Sequence, residues 1–144
     1  MVPMSAVGGT WIVDLDGVVW LAGTPIEGVV EAVDLLRGAG VRILFVTNNS
    51  APELAELVSR LERAGIEADP NDLVTSAQAA ASMLSPGDSA LALADGGARE
   101  ALSARGVTLV DDGPASAVVV GWTHQFDFER LSKAARVVRA GARL

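Results

Sequence analysis

Val41 to Ser50 reads VRILFVTNNS. An apolar run of strand length passes abruptly into hydroxyl and amide side chains. Such a run, bounded by turn-forming residues, predicts a buried strand over Val41–Val46. Ser50 then predicts a helix to about Ala64, with Pro52 in its first turn and Glu53 three residues after Ser50, a capping-box pattern. Gly65 closes it. Upstream, Val29, Ala32, Val33 and Leu36 recur at three- and four-residue steps and predict a helix over Val29–Ala39, ended by Gly38 and Gly40. Before that helix, Trp11 to Leu15 reads WIVDL, a second short buried strand. Strand, helix and strand form one crossover unit.

The alternation continues downstream. Asp72–Thr75 (DLVT) reads as a strand, with Ser76 capping a helix through Leu84. SPGD at Ser85–Asp88 is a turn signal and a candidate boundary. Strands follow at Leu91–Ala94, Val107–Val110 and Ala117–Val120, with helices at Ala98–Arg105 and Phe128–Ala140. Strands alternating with helices predict an α/β protein with a parallel sheet and right-handed crossovers. Near the end, Arg139 to Leu144 (RAGARL) repeats the character of Arg37 to Leu44 (RGAGVRIL). In the earlier copy the glycine stop leads into a strand; in the later one the strand has barely begun. The expectation is that these 144 residues are a piece of a longer protein.

Composition narrows the function. Half of the residues are apolar, which is incompatible with disorder throughout. The net charge is −7, so an acidic surface would repel phosphodiester backbones and anionic lipid, and neither nucleic acid nor membrane is an expected partner. Cysteine is absent, which removes thiol catalysis, disulfides and thiolate metal sites, and His124 is the one histidine. Mean hydropathy is high, at +0.37. Even so, the longest uncharged stretch, Leu73–Gly87, is too short and polar to span a bilayer. The opening MVPMSAVGG has no basic region. A cytoplasmic location is expected.

Two loops carry the chemistry. WIVDLDG sets Asp14 and Asp16 two apart at the end of a strand, on one face while the backbone stays extended. Ligands of open parallel sheets bind beyond the carboxyl ends of the strands. Two acids there suit a divalent cation, or a division of labour between nucleophile and proton carrier. Thr47, Asn48 and Asn49 end the second strand, where a hydroxyl, amides and backbone N–H groups suit a phosphate. Asp14 and Thr47 lie 33 residues apart, about one strand–helix–strand unit. Alone, Asp-x-Asp-Gly is common turn chemistry, and Thr-Asn-Asn-Ser is common cap chemistry. Their pairing, one crossover apart, is the specific signal.

DLDGVVW, followed by the turn TPIEG and later by FVTNNS, resembles the haloacid dehalogenase superfamily of phosphohydrolases, and within it the NagD-like, 4-nitrophenylphosphatase, phosphoglycolate and glycerol-3-phosphate phosphatase group. DLVTSAQAAA and VVVGWTHQFDFERLSKAARVVRAGARL extend the resemblance over nearly the whole chain. It implies part of a doubly wound parallel-sheet core over residues 1–84 and the opening of an α/β cap over residues 85–144. It implies hydrolysis of a small phosphorylated metabolite. Asp14 would form an aspartyl-phosphate, Asp16 would move the proton, Thr47 and Asn48 would bind the phosphoryl group, and Mg²⁺ would be held by Asp14 and the Asp16 carbonyl. The family's later lysine and its G-D-x-x-x-x-D motif are missing. Lys133 is the only lysine, and with Arg130, Arg136 and Arg139 it reads as a solvated basic face. The expectation is half a catalytic site, weak or inactive alone. A non-catalytic module that self-associates into a homo-oligomer through an exposed sheet edge is the alternative.

Lesser candidates complete the set. Asp95, Gly96 and Gly97 follow a strand and precede a helix, as a substrate-facing cap loop or a tight turn would. Gly121, Trp122, Thr123 and His124 end another strand. Trp11 and Trp20 read as packing residues beside the first strand.

Overall fold

The computed structural model describes residues 9–144; the opening stretch MVPMSAVG, read above for its lack of a basic leader, lies outside the described residues. The chain divides into two compact units. The first holds the described residues up to Thr47 together with Leu54–Val74, and the second holds Asn48–Glu53 and Thr75–Leu144.

The first unit is built on β1 (Thr10–Asp14), β4 (Arg42–Thr47) and β5 (Leu73–Thr75), in the order β1-β4-β5. Between β1 and β4 the chain forms a small antiparallel hairpin, β2 (Trp20–Leu21) and β3 (Thr24–Pro25), and then helix α1 (Val29–Gly38). Helix α2 (Leu54–Arg63) and a 3-10 turn (Pro70–Asp72) lead from β4 to β5. β1 and β4 are parallel, with Thr10 opposite Arg42 and Asp14 opposite Val46. Period-two alternation buries Ile43, Phe45 and Thr47 on one face of β4. Phe45 is fully buried and packs in a cluster with Leu15, Val19, Leu57, Leu61 and Ile66. Trp20 is buried, but Trp11 is 46% exposed, so Trp11 is not the packing residue its sequence context suggested.

The second unit contains α3 (Ser76–Ser82), β6 (Ser89–Leu93), α4 (Gly96–Ala104), β7 (Thr108–Val110), β8 (Ala117–Val120) and α5 (Phe128–Arg139). Its strands run parallel in the order β7-β6-β8. β6 is buried on both sides, as central strands of parallel sheets are. Ala90 and Ala92 pack with Ala81 of α3 and Leu102 of α4; Leu91 and Leu93 pack with Ala134 and Val137 of α5. α4 and α5 therefore cover opposite faces. The expected α/β fold with parallel sheets is present. At the chain end, Arg143 bridges Ala117 in parallel.

Two expected caps are corrected. Helix α2 begins at Leu54, not at Ser50. The Ser50 hydroxyl instead accepts the Trp122 N–H at 2.8 Å. A hydroxyl can satisfy a distant backbone donor as well as a local one, and here the tertiary partner wins. Thr75, not Ser76, caps α3: its hydroxyl accepts the Gln78 N–H at 3.1 Å, and Gln78 Oε1 accepts the Thr75 N–H at 2.8 Å. Ser76 donates to the Asn48 carbonyl at 2.8 Å. Among the described residues, no helix is long and apolar enough to cross a membrane.

Candidate active site

Asp14 is the last residue of β1 and is exposed. The ladder runs one residue further, since the Leu15 N–H donates to the Val46 carbonyl at 3.1 Å. The chain then turns. The Leu15 carbonyl accepts the N–H groups of Val19 at 2.9 Å and Trp20 at 3.2 Å, and the Gly17 N–H donates to the Trp20 carbonyl at 2.7 Å. Gly17 has φ of 87°, a left-handed conformation that favours glycine. Asp14 and Asp16 therefore flank the start of a turn; strand alternation does not relate them.

Asp16 is held from two sides. Its Oδ1 accepts the Trp20 indole N–H at 2.9 Å. Its Oδ2 lies 3.5 Å from the Thr47 hydroxyl, at the outer limit of a hydrogen bond. Thr47 is buried at the carboxyl end of β4, so neighbouring parallel strands bring an acid and a hydroxyl to the same sheet edge. Asn48 follows directly and belongs to the second unit. A cavity of about 200 Å³ beside Asp16 is also lined by Trp20, Arg60 and Arg63.

Among the described residues, no three His, Cys, Asp or Glu side chains gather as a metal cage. Two exposed acids at a turn still fit Mg²⁺, a hard cation that binds one or two carboxylates and retains waters.

Sequence reasoning missed Arg60 and Arg63, and read Trp20 as a packing residue without its bond to Asp16. Trp20 carried a usable signal, because a buried indole N–H needs an acceptor and Asp16 is four residues away. The two arginines are three apart on α2 and share a helix face, but nothing local ties that face to Asp16. Arg60 also pairs with Glu56 one turn back.

In the second unit, α4 leaves β6 toward one face of the sheet and α5 leaves β8 toward the other. Their carboxyl ends therefore form a topological switch point, where open α/β sheets bind ligands. Asp95 stands there. It accepts from the Thr123 hydroxyl at 2.7 Å, lies 2.8 Å from His124 Nδ1, and accepts the His124 N–H at 3.2 Å. The Thr123 hydroxyl, then His124, hold the Asp95 carboxyl below its ordinary range. The His124 ring meets Trp122 edge-on, with centroids 4.1 Å apart. Gly97 is buried, and its N–H donates to the Ala51 carbonyl at 2.8 Å.

A family model described as haloacid dehalogenase-like hydrolase matches residues 11–108, and the chain belongs to that family. Among curated proteins, it is 38% identical over 136 residues to an acid sugar phosphatase of Staphylococcus saprophyticus, a match covering 92% of this chain and 52% of the relative. Among solved structures, a glycerol phosphate phosphatase from Mycobacterium tuberculosis in complex with magnesium superposes with a TM-score of 0.84 at 34% identity, covering 93% of this chain and 41% of that one. A p-nitrophenyl phosphatase from Archaeoglobus fulgidus superposes with a TM-score of 0.84 at 32% identity, covering 94% and 52%. The chain spans about half the length of the curated relatives it matches.

Proposed function

We propose that this chain carries the nucleophile-bearing half of a Mg²⁺-dependent phosphatase acting on a small phosphomonoester in the cytoplasm. The observation that carries this reading is the meeting of Asp16 and Thr47 at the carboxyl edge of adjacent parallel strands, one turn from Asp14.

In the first step an Asp14 oxygen attacks phosphorus, the bond from phosphorus to the alcohol oxygen breaks, and Asp16 gives that oxygen its proton. In the second, Asp16 takes a proton from water as the water oxygen attacks phosphorus. The aspartyl-phosphate bond breaks, leaving inorganic phosphate and free Asp14. Trp20 anchors Asp16 through Oδ1, so Oδ2, on the Thr47 side, is the oxygen that carries the proton. The Thr47 hydroxyl turns from Asp16 to a phosphoryl oxygen when the ester binds, with Asn48 beside it. The Asp14 carboxylate and the Asp16 carbonyl would hold Mg²⁺, whose charge would offset the repulsion between Asp14 and an anionic substrate.

Residues 1–84 then form part of a core and residues 85–144 the opening of a cap. Asp95, Gly96 and Gly97 are the cap-side candidates for contact with the substrate. The acid sugar and glycerol phosphate phosphatases among the relatives support a small hydroxylated ester. Because the chain spans about half of such relatives, these 144 residues alone are expected to turn over weakly or not at all.

The test is phosphate release from a panel of phosphomonoesters with and without Mg²⁺, using this chain and a chain extended to its relatives' length. The extended chain should be active, and Asp14→Asn should abolish turnover. Persistent turnover in Asp14→Asn overturns the nucleophile assignment. An inert extended chain moves the reading to a non-catalytic, self-associating module.

A further inference from the structure

The second unit contains a cavity of about 220 Å³ whose lining is unusual for so acidic a chain. Of the 11 lysines and arginines in the sequence, Arg99, Arg130 and Lys133 line it, against the single carboxylate of Asp111. They arrive from separate elements, Arg99 from α4 and the other two from α5, and line the cavity together with Leu91–Leu93 of β6 and Val110 and Asp111 at the end of β7. Leu91 and Val110 form an apolar floor. Arg130 and Lys133 are half-buried here, so this part of α5 is not the uniformly solvated basic face that its sequence suggested.

We infer that this cavity is a binding site for a small oxyanion, a phosphate or carboxylate group on a compact organic molecule. Arg99 Nη2 donates to the Ala92 carbonyl at 3.3 Å, which fixes the guanidinium at the wall with further N–H donors available to a ligand. Arg130 is braced by Gln125, through the backbone carbonyl at 3.1 Å and the side-chain oxygen at 2.9 Å. The Lys133 ammonium lies 2.9 Å from Glu129, whose side chain is 79% exposed. An exposed ion pair of this kind contributes little, so a doubly charged oxyanion competes well for the lysine. Glu129 also holds Lys133 above its ordinary range. The volume exceeds a bare phosphate and admits a few carbons, which the Leu91 and Val110 floor would cover.

The inference does not depend on the phosphatase reading, and its test separates the two. Amide NMR shifts of the whole chain are followed during titration with inorganic phosphate, and separately with malonate, at constant ionic strength, in EDTA, and on Thr47→Ala. Saturable shifts are expected at Leu91 to Leu93, Arg99, Val110 and Lys133. Lys133→Gln should weaken binding about tenfold, and Arg99→Gln should do the same. Preference between the two titrants tells phosphate from carboxylate chemistry. Each variant's unliganded spectrum reports its fold, so one misfolded variant leaves the other to decide. Shifts confined to Asp14–Gly17 and Thr47, unchanged affinity in a folded Lys133→Gln, or no saturation would overturn the site.

Discussion

Gly97→Ala tests how the second unit is joined internally. A Cβ built at Gly97 would lie 2.1 Å from the Pro52 carbonyl oxygen, and 2.8 Å from both the Pro52 carbonyl carbon and the Ser50 oxygen. All three are backbone atoms, so no side-chain rotation relieves the overlap. The start of α4 would have to retreat from segment 48–53 by about 1 Å, judged against ordinary carbon–oxygen contact distances. That retreat also breaks the 2.8 Å bond from the Gly97 N–H to the Ala51 carbonyl. Overpacking costs about 1–3 kcal/mol and a lost hydrogen bond about 1 kcal/mol, so the sum is about 3 kcal/mol. For 144 residues that lowers the midpoint by roughly 10 °C. Gly38 is the control, because nothing lies within 4 Å of its added Cβ and its backbone is helical. Gly38→Ala should be neutral or stabilising by up to about 1 kcal/mol. Urea and thermal unfolding by circular dichroism read both variants. If Gly97→Ala unfolds within about 0.5 kcal/mol of the parent, the close-approach reasoning fails.

Other consequences follow from single contacts. Phe45→Ala empties a fully buried site and should cost about 3–5 kcal/mol in urea unfolding. Trp20→Phe removes the donor to Asp16 Oδ1 while keeping an apolar ring; phosphate release by the extended chain should fall about tenfold with the fold intact, and an unchanged rate would remove Trp20 from the proton step. Asp95, held low first by Thr123 and then by His124, contributes stability that is present above the unfolded carboxyl pKa and is lost as pH falls through the folded value. Thr123→Val should move the Asp95 titration, followed by carboxyl NMR, upward toward the ordinary range; a downward movement or none contradicts the assignment. Ala22 carries φ of 50° in the two-residue turn between β2 and β3, so Ala22→Asn or Ala22→Gly should stabilise by up to about 1 kcal/mol, and destabilisation by either would show that the turn is not strained.

Much was written locally. The runs WIVDL and VRILFV are apolar and of strand length and form β1 and β4, although β1 is largely exposed where a buried strand was expected, and glycines at 40, 65 and 106 follow helices in left-handed conformations that other residues resist. Thus α/β alternation, the parallel sheets and the chain positions of Asp14, Asp16 and Thr47 follow from residue order. The hairpin of β2 and β3 does not, because its strands are two residues long and its turn uses Ala22-Gly23 in place of an asparagine–glycine signal. Cap choice was also out of reach. Ser50 and Ser76 have the right side chains for helix N-termini, yet both hydroxyls bond to backbone groups dozens of residues away.

Sequence order thus determined which chemical groups the chain carries and how often it folds back. Tertiary structure alone decided which of those groups meet: the indole of Trp20 on Asp16, Thr123 and His124 on Asp95, and the cations of α4 and α5 around one cavity. Propensity and periodicity act over a few residues and are visible in order. A hydrogen bond or a shared pocket depends on distance in space, which only strand register and helix placement set.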